Sequence, residues 1–361
     1  MKPIKQKIFM SLAATLALLI LSSCGGGGGG GTTGNNNTNN NTPPPPAAKL
    51  YVSGVTANLD GQIGTYPSTT FASGALATSR SITGANTKLT APSNSGVREL
   101  ALDAANDRLY AINLSTNSIL VFDGASQADG NVAPAREITG ANTLLDSPIA
   151  IYLDNANNRL YVSNFRSTAQ TVLVFDNAST INGNVAPTRV ISGFALKPYS
   201  QLAGIQVDTV RNILYVADAG YGALYIFDNA NTLDGSVAAS RVVTGTSTTI
   251  SFPRALALDS TGNRIYVSSI ANKGTILVFD NASSATGNIA PSRSINTSDP
   301  LFDVTGLFLD TTHDRLYALN GSYRKLEYFD GASSASGLLT PTVTGDLSDL
   351  LAPYGIFVDT R

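Results

Sequence analysis

The chain has one cysteine, one histidine and few charges among its 361 residues, and each shortage removes a class of function. With Cys24 alone, no intramolecular disulfide can form. Zinc sites built from cysteine and histidine clusters have no donors to draw on. His313 is the sole histidine and stands in a turn, where solvent is its expected partner, so a histidine-dependent nucleophilic triad is not expected. Charged residues make up 13% of the chain and the formal net charge is −2, against the strongly basic surface that nucleic-acid binding needs, so no nucleic-acid partner is expected. No glycine-rich phosphate loop leads into a helix, and the one long glycine run, residues 25–31, lies in low-complexity sequence. Beyond residue 48 the apolar runs are only 4 to 6 residues long and end in turn residues, which excludes helices and favours short strands.

What is present begins with an address. Lys2, Lys5 and Lys7 precede a 14-residue apolar stretch at 8–21, too short and wrongly flanked for a spanning helix, so residues 1–23 read as a secretory signal. The sequence Leu21-Ser-Ser-Cys24 resembles the bacterial lipoprotein lipobox, in which the cysteine is acylated and becomes the mature N-terminus. That resemblance implies a membrane partner through a lipid on Cys24 and a place in the bacterial cell envelope. Gly25 and Gly26 stand where an Asp would resemble an inner-membrane retention signal, which points to the outer membrane if the host is Gram-negative. Residues 24–48, with seven consecutive glycines, an Asn/Thr tract and four prolines, offer no apolar face to bury and read as a tether.

Residues 49–361 carry a repeat of about fifty residues. Tyr51, Tyr110, Tyr161, Tyr215, Tyr266 and Tyr317 each sit in an apolar run, at spacings of 59, 51, 54, 51 and 51. A first strand ends in Asp (Asp103, Asp154, Asp208, Asp259, Asp310, Asp359), and seven residues after each of the first five comes the Tyr of a second strand. A third strand ends at Asp123, Asp176, Asp228, Asp280 and Asp330, with Pro67 in the first repeat. A turn glycine follows (Gly74, Gly130, Gly183, Gly235, Gly287, Gly337), then an arginine opening a fourth strand (Arg80, Arg136, Arg189, Arg241, Arg293), with Val343 in the sixth. Four short strands per repeat describe a blade, and the whole predicts an all-β, six-bladed β-propeller of four-stranded blades. The last repeat supplies a first strand without a second and the domain opens on a second strand without a first. The ring should therefore close by mixing N- and C-terminal strands, which removes the free sheet edge.

Pro353-Tyr-Gly-Ile-Phe-Val-Asp359, Leu214-Tyr-Val-Ala-Asp218 and Leu224-Tyr-Ile-Phe-Asp228 resemble the NHL-repeat family of six-bladed propellers. Glu99, Ala150 and Ala255 depart from the pattern, replacing the glycine found at Gly204, Gly306 and Gly355. The resemblance implies a binding platform. Related six-bladed folds include gluconolactonase- and paraoxonase-type enzymes that hold calcium at the channel mouth, so a calcium-dependent lactonase is the alternative, with calcium as its cofactor.

Residues that recur around the ring belong to the scaffold. Apart from Lys49 and Arg361 at the chain junction and Arg211 in a turn between first and second strands, the non-recurrent basic residues Lys88, Arg98, Arg166, Lys197, Arg254, Lys273, Arg324 and Lys325 all fall in loops that propeller topology gathers on one face, the top. Phe165, Tyr199, Tyr221, Phe252, Tyr323, Tyr354, Glu99, Asp146, Asp218 and Asp303 share that face. A binding or scaffold module with no catalytic residues and no cofactor is the expectation, taking a protein, glycan or small anionic ligand on these loops. Five residues before each strand-end Asp is a position at the channel mouth: Arg98, Ile149, Ala203, Arg254, Thr305 and Tyr354. Arg98 and Arg254 lie three blades apart and should face each other, a pair suited to an anion, with Tyr354, Glu99 and Asp303 beside them. The calcium alternative would draw its oxygens from Glu99, Asp303, Asn113, Asn164, Asp218 and Asn320. Finally, the missing Asp at Pro67 and the missing Arg at Val343 predict inter-blade ion pairs: Asp123 with Arg80, Asp176 with Arg136, Asp228 with Arg189, Asp280 with Arg241, Asp330 with Arg293.

Overall fold

Successive residues of one strand serve different neighbours. Leu214 and Val216 pack toward the preceding blade, while Tyr215 and Ala217 pack toward the following one. Both faces of the second and third strands are buried, so these strands are apolar at successive positions instead of at every second one, while the fourth strands, such as Arg293–Thr297, are only partly buried. The computed structural model describes residues 49–67, 73–90, 96–165, 170–194, 200–298 and 301–360. The expectations for residues 1–48, including Cys24, and for Arg166, Lys197, Tyr199 and Arg361 lie outside them.

Six sheets each carry four antiparallel strands; the blade made of Leu202–Asp208, Ile213–Asp218, Ala223–Asp228 and Arg241–Thr244 is typical. Blades are numbered here from the one that contains Leu50. Blade one is the mixed blade: Ala352–Asp359 pairs with Lys49–Val55, Leu50 opposite Val358 and Val52 opposite Ile356, followed by Gly61–Pro67 and Arg80–Thr83. Six apolar clusters, one at each blade junction, form the core.

The repeated residues join blades. Every turn glycine adds itself, parallel, to the outer strand of the preceding blade, as Gly183 does to Ile138 and Gly74 to Gly345. All six have positive φ, from 70° to 129°, and a Cβ there would meet no atom, so backbone conformation alone requires glycine. The strand-two tyrosines reach the same turn of the next blade: Tyr110 donates to the Ala178 carbonyl (3.1 Å), Tyr161 to Ala230 (3.3 Å) and Tyr266 to Ala332 (2.9 Å). The strand-end aspartates fold the turns that follow them, Asp154 accepting from the Asn157 amide at 3.1 Å and Asp310 from that of His313 at 3.1 Å. The His313 ring is largely exposed and contacts Asp310 only within its own turn.

The expected inter-blade ion pairs do not form. Four of the five strand-three aspartates stand directly across the antiparallel ladder from an arginine of their own blade and take it: Asp123 with Arg108 (2.7 Å), Asp176 with Arg159, Asp280 with Arg264 (2.7 Å) and Asp330 with Arg315 (2.6 Å), whereas Asp228 faces Ile213. Arg136, Arg241 and Arg293 also pair with the aspartate of their own blade, Asp123, Asp228 and Asp280. Four of the five strand-four arginines also cross to the next blade, but onto carbonyls, while Arg241 stays with Asp228. Arg80 donates to Ser126 (3.0 Å), Arg189 to Ala230 (3.1 Å) and Arg293 to Ser333 (2.8 Å). The junction of blades six and one, where both the strand-three Asp and the strand-four Arg are missing, has polar contacts of its own. The Asp349 carboxylate accepts from the Tyr66 hydroxyl (2.9 Å) and from the Gln62 amide (3.0 Å).

Candidate binding site at the channel mouth

The six mouth positions are brought together by an irregularity shared by the blades. Between first and second strands the register skips at Tyr354, at Arg98 and Glu99, at Ile149, at Ala203 and Gly204, and at Thr305; in blade five the ladder begins only after Arg254, at Leu256. Such bulges re-aim side chains. Here they turn all six residues onto one cavity of about 40 Å³, which Glu99 also lines. The bulges are pinned sideways: the Ser163 hydroxyl donates to the Ala203 carbonyl (2.7 Å), Thr305 to Pro353 (3.1 Å), and the Gly204 amide to Arg254 (2.9 Å).

Arg98 and Arg254 come from opposite blades of the ring, as expected. The Arg98 guanidinium lies 3.7 Å from the centroid of the Tyr354 ring, and its Nε is buried with no hydrogen-bond partner among the described residues. Burial lowers the Arg98 pKa, and the positive charge of Arg254 acts in the same direction. Arg254 lies 5.0 Å from the Phe252 ring centroid, and its Nη1 is 3.2 Å from the Asp303 carboxylate. One cation is thus neutralised within the protein, while the other is stacked, desolvated and not fully hydrogen-bonded. Such an arrangement suits a planar anion, which supplies acceptors that the protein withholds.

Glu99 is turned away from both arginines. Its carboxylate accepts from the Ile151 amide of the next blade at 2.9 Å. Burial pushes it up to about 8 against the opposing effect of that hydrogen bond, so the side chain is largely neutral at pH 7. Glu99 also lines a second cavity, of about 230 Å³, whose other lining residues include Leu102, Leu153, Leu309 and Phe357. The two cavities therefore share Glu99.

Most of the oxygens named for calcium are used otherwise, although Asp218 Oδ2 is buried without a hydrogen-bond partner among the described residues. Asn113 accepts from the Ser115 amide (3.3 Å) and Asn320 from the Tyr323 amide (3.4 Å), folding their own top loops, while Asn164 accepts from the Asp146 amide (3.1 Å) and Asp218 from the Gln201 amide (2.7 Å), tying each to the neighbouring top loop of its blade. Asp303 holds Arg254. Among the described residues no three Asp, Glu, His or Cys side chains gather as a metal site. Elsewhere on the top face Lys88 pairs with Glu137 (2.6 Å), and Phe302 and Tyr323 stack in the open with centroids 6.2 Å apart. Phe302 escaped the sequence reading because the loop before each first strand varies in sequence from blade to blade, so no recurring position marks it. The second cavity escaped it because its walls are strand residues that recur in position but vary in size.

No protein-family model matches the chain, and no curated protein sequence matches it. Among solved structures, one chain of a nidogen/laminin complex is similar over 87% of this chain and 99% of that one, with a TM-score of 0.57 at 14% identity. At that identity the likeness shows the propeller fold alone.

Proposed function

We propose that the protein is a lipid-anchored, extracytoplasmic binding module of the bacterial cell envelope, acylated at Cys24 and tethered by residues 24–48, whose propeller recognises anionic groups at its mouth. The lipobox-like Leu21-Ser-Ser-Cys24 and the low-complexity segment after it support the anchor, and the glycines that follow Cys24 support an outer-membrane destination. The NHL-like repeat pattern and the propeller fold support binding over catalysis, and a propeller within a nidogen/laminin complex is compatible with a protein partner on the top loops. Calcium-dependent lactonase chemistry gains no support, because most of the oxygens it would use hold loops, the Ile151 amide or Arg254, and among the described residues no three acidic, His or Cys side chains gather.

The observation that carries the reading is the Arg98 and Arg254 pair: two half-buried guanidinium groups at one small cavity, one with an unpartnered Nε. Replacing both by Ala in the full chain should abolish binding of small carboxylates and inorganic anions while leaving the melting temperature within a few degrees. Retained affinity would reduce the pair to surface charge. The anchor is tested separately with Cys24→Ser: it should release the protein from membranes and lose acyl label, and an unlabelled, membrane-bound wild type would contradict it.

A further inference from the structure

We infer that the propeller channel is a binding site for a small amphiphilic carboxylate, with the head group between Arg98 and Arg254 and the apolar tail in the cavity below Glu99. The inference rests on the anionic mouth proposed above and adds the class of ligand. The two cavities share Glu99, so a ligand that spans them passes that side chain. The lower one, at about 230 Å³, is lined by residues with mostly aliphatic and aromatic side chains, among which Glu99, Asn155, Gln206 and backbone groups also present polar surface, so a tail there meets a mixed wall. An apolar cavity of about 150 Å³ already accepts a benzene ring, so there is room for one aryl ring or a short alkyl chain.

The shape of this space follows from single positions. Two residues before the strand-end aspartates stand Ala101, Tyr152, Gln206, Ala257, Phe308 and Phe357. Four are large, and Phe308 and Phe357 pack edge to face with centroids 4.9 Å apart. The two alanines lie three blades apart, on the blades that carry Arg98 and Arg254. The same two blades therefore place a cation at the mouth and leave side-chain volume vacant three residues further along the strand. Polar groups in the wall are partly satisfied within the protein, the Gln206 amide donating to Leu256 at 3.1 Å. Glu99, bonded to Ile151, presents a neutral neck to a carboxylate at pH 7. A charged neck would repel it.

The test is a set of titrations of the full chain at pH 7 with acetate, hexanoate, octanoate, octan-1-ol and octylammonium. Each methylene that enters an apolar site strengthens binding roughly fourfold, so octanoate should bind at least ~30-fold more tightly than acetate. Octanol and octylammonium should bind at least ~10-fold more weakly than octanoate, because neither brings an anion to the arginines. Ala257→Leu should erase the gain with chain length while leaving acetate binding intact. Ala101→Leu on the facing wall is the second variant if the first does not fold, and the chain-length series on the wild type stands without either. If acetate and octanoate bind alike, and both need the arginines, the channel inference is overturned and the anionic mouth remains. Octanoate bound as tightly by the Arg98→Ala, Arg254→Ala protein would overturn both. Octanol that matches octanoate would overturn the head-group assignment and with it the inference.

Discussion

Glu99 occupies a position where three other blades carry glycine, and the reason for those glycines is local. A Cβ on Gly355 would lie 2.5 Å from the carbonyl oxygen of Arg98, and one on Gly204 would lie 2.7 Å from that of Arg254. Each of these glycines thus makes room for the arginine-bearing bulge of the next blade. Blade two itself carries a carboxyl there, with a consequence for stability. The folded chain holds the Glu99 proton up to about 8, against an ordinary value of 4.5. Between those values the folded state binds one more proton than the unfolded state, so the contribution of Glu99 makes stability fall as pH rises through that window. Glu99→Gln keeps an acceptor for the Ile151 amide and cannot ionise. It should match the wild type at pH 4 and exceed it by roughly 2 kcal/mol at pH 8.5, a figure reduced for water in the channel. Thermal melts across that range check this, and a difference independent of pH would show that the carboxyl ionises normally.

At the level of the strand pair, blade four acts as an internal substitution experiment. Ile213 stands where four other blades have the arginine that clasps the strand-three aspartate. Without that competitor, Asp228 draws Arg241 into a two-point contact within the blade. The Tyr215 hydroxyl is left buried without a hydrogen bond, unlike Tyr110, Tyr161 and Tyr266. Removing the hydroxyl should therefore cost different amounts at the two junctions. Tyr266→Phe strands the Ala332 carbonyl and should cost about 1 kcal/mol, whereas Tyr215→Phe should cost nothing measurable. Denaturant titrations of the two variants would decide it, and equal costs would mean that blades four and five are joined as the others are.

On the scale of the ring, stability depends on closure. Deleting residues 355–361 removes the partners of Lys49, Leu50, Tyr51, Val52 and Ser53 and exposes that strand as an edge. The truncated chain should lose cooperative melting near the wild-type temperature, because every blade packs on two neighbours and none has an independent core. A truncated protein that melts like the full one would show that closure contributes little. Tyr66→Phe is the milder probe of the same junction: it removes the bond from a buried hydroxyl to the Asp349 carboxylate and should cost roughly 1.5 to 3 kcal/mol.

The repeat, the blade count, the mixed closure and the ring of mouth residues were all legible in the chain, because each depends on spacing, and spacing along a strand converts directly into position within a blade. The turn glycines and strand-two tyrosines were legible as scaffold, though not as links between blades. Three things needed the tertiary structure. Which arginine takes each strand-three aspartate was decided by ladder register, since Arg108, Arg159, Arg264 and Arg315 stand directly opposite and satisfy the carboxylates first. The direction of Glu99, toward Ile151 and away from Arg98, was decided by a bulge that sets Arg98 and Glu99 against the single residue Ile112 of the second strand. The cavity beneath it depends on side-chain volumes from all six blades meeting around one axis, and no single repeat contains that sum.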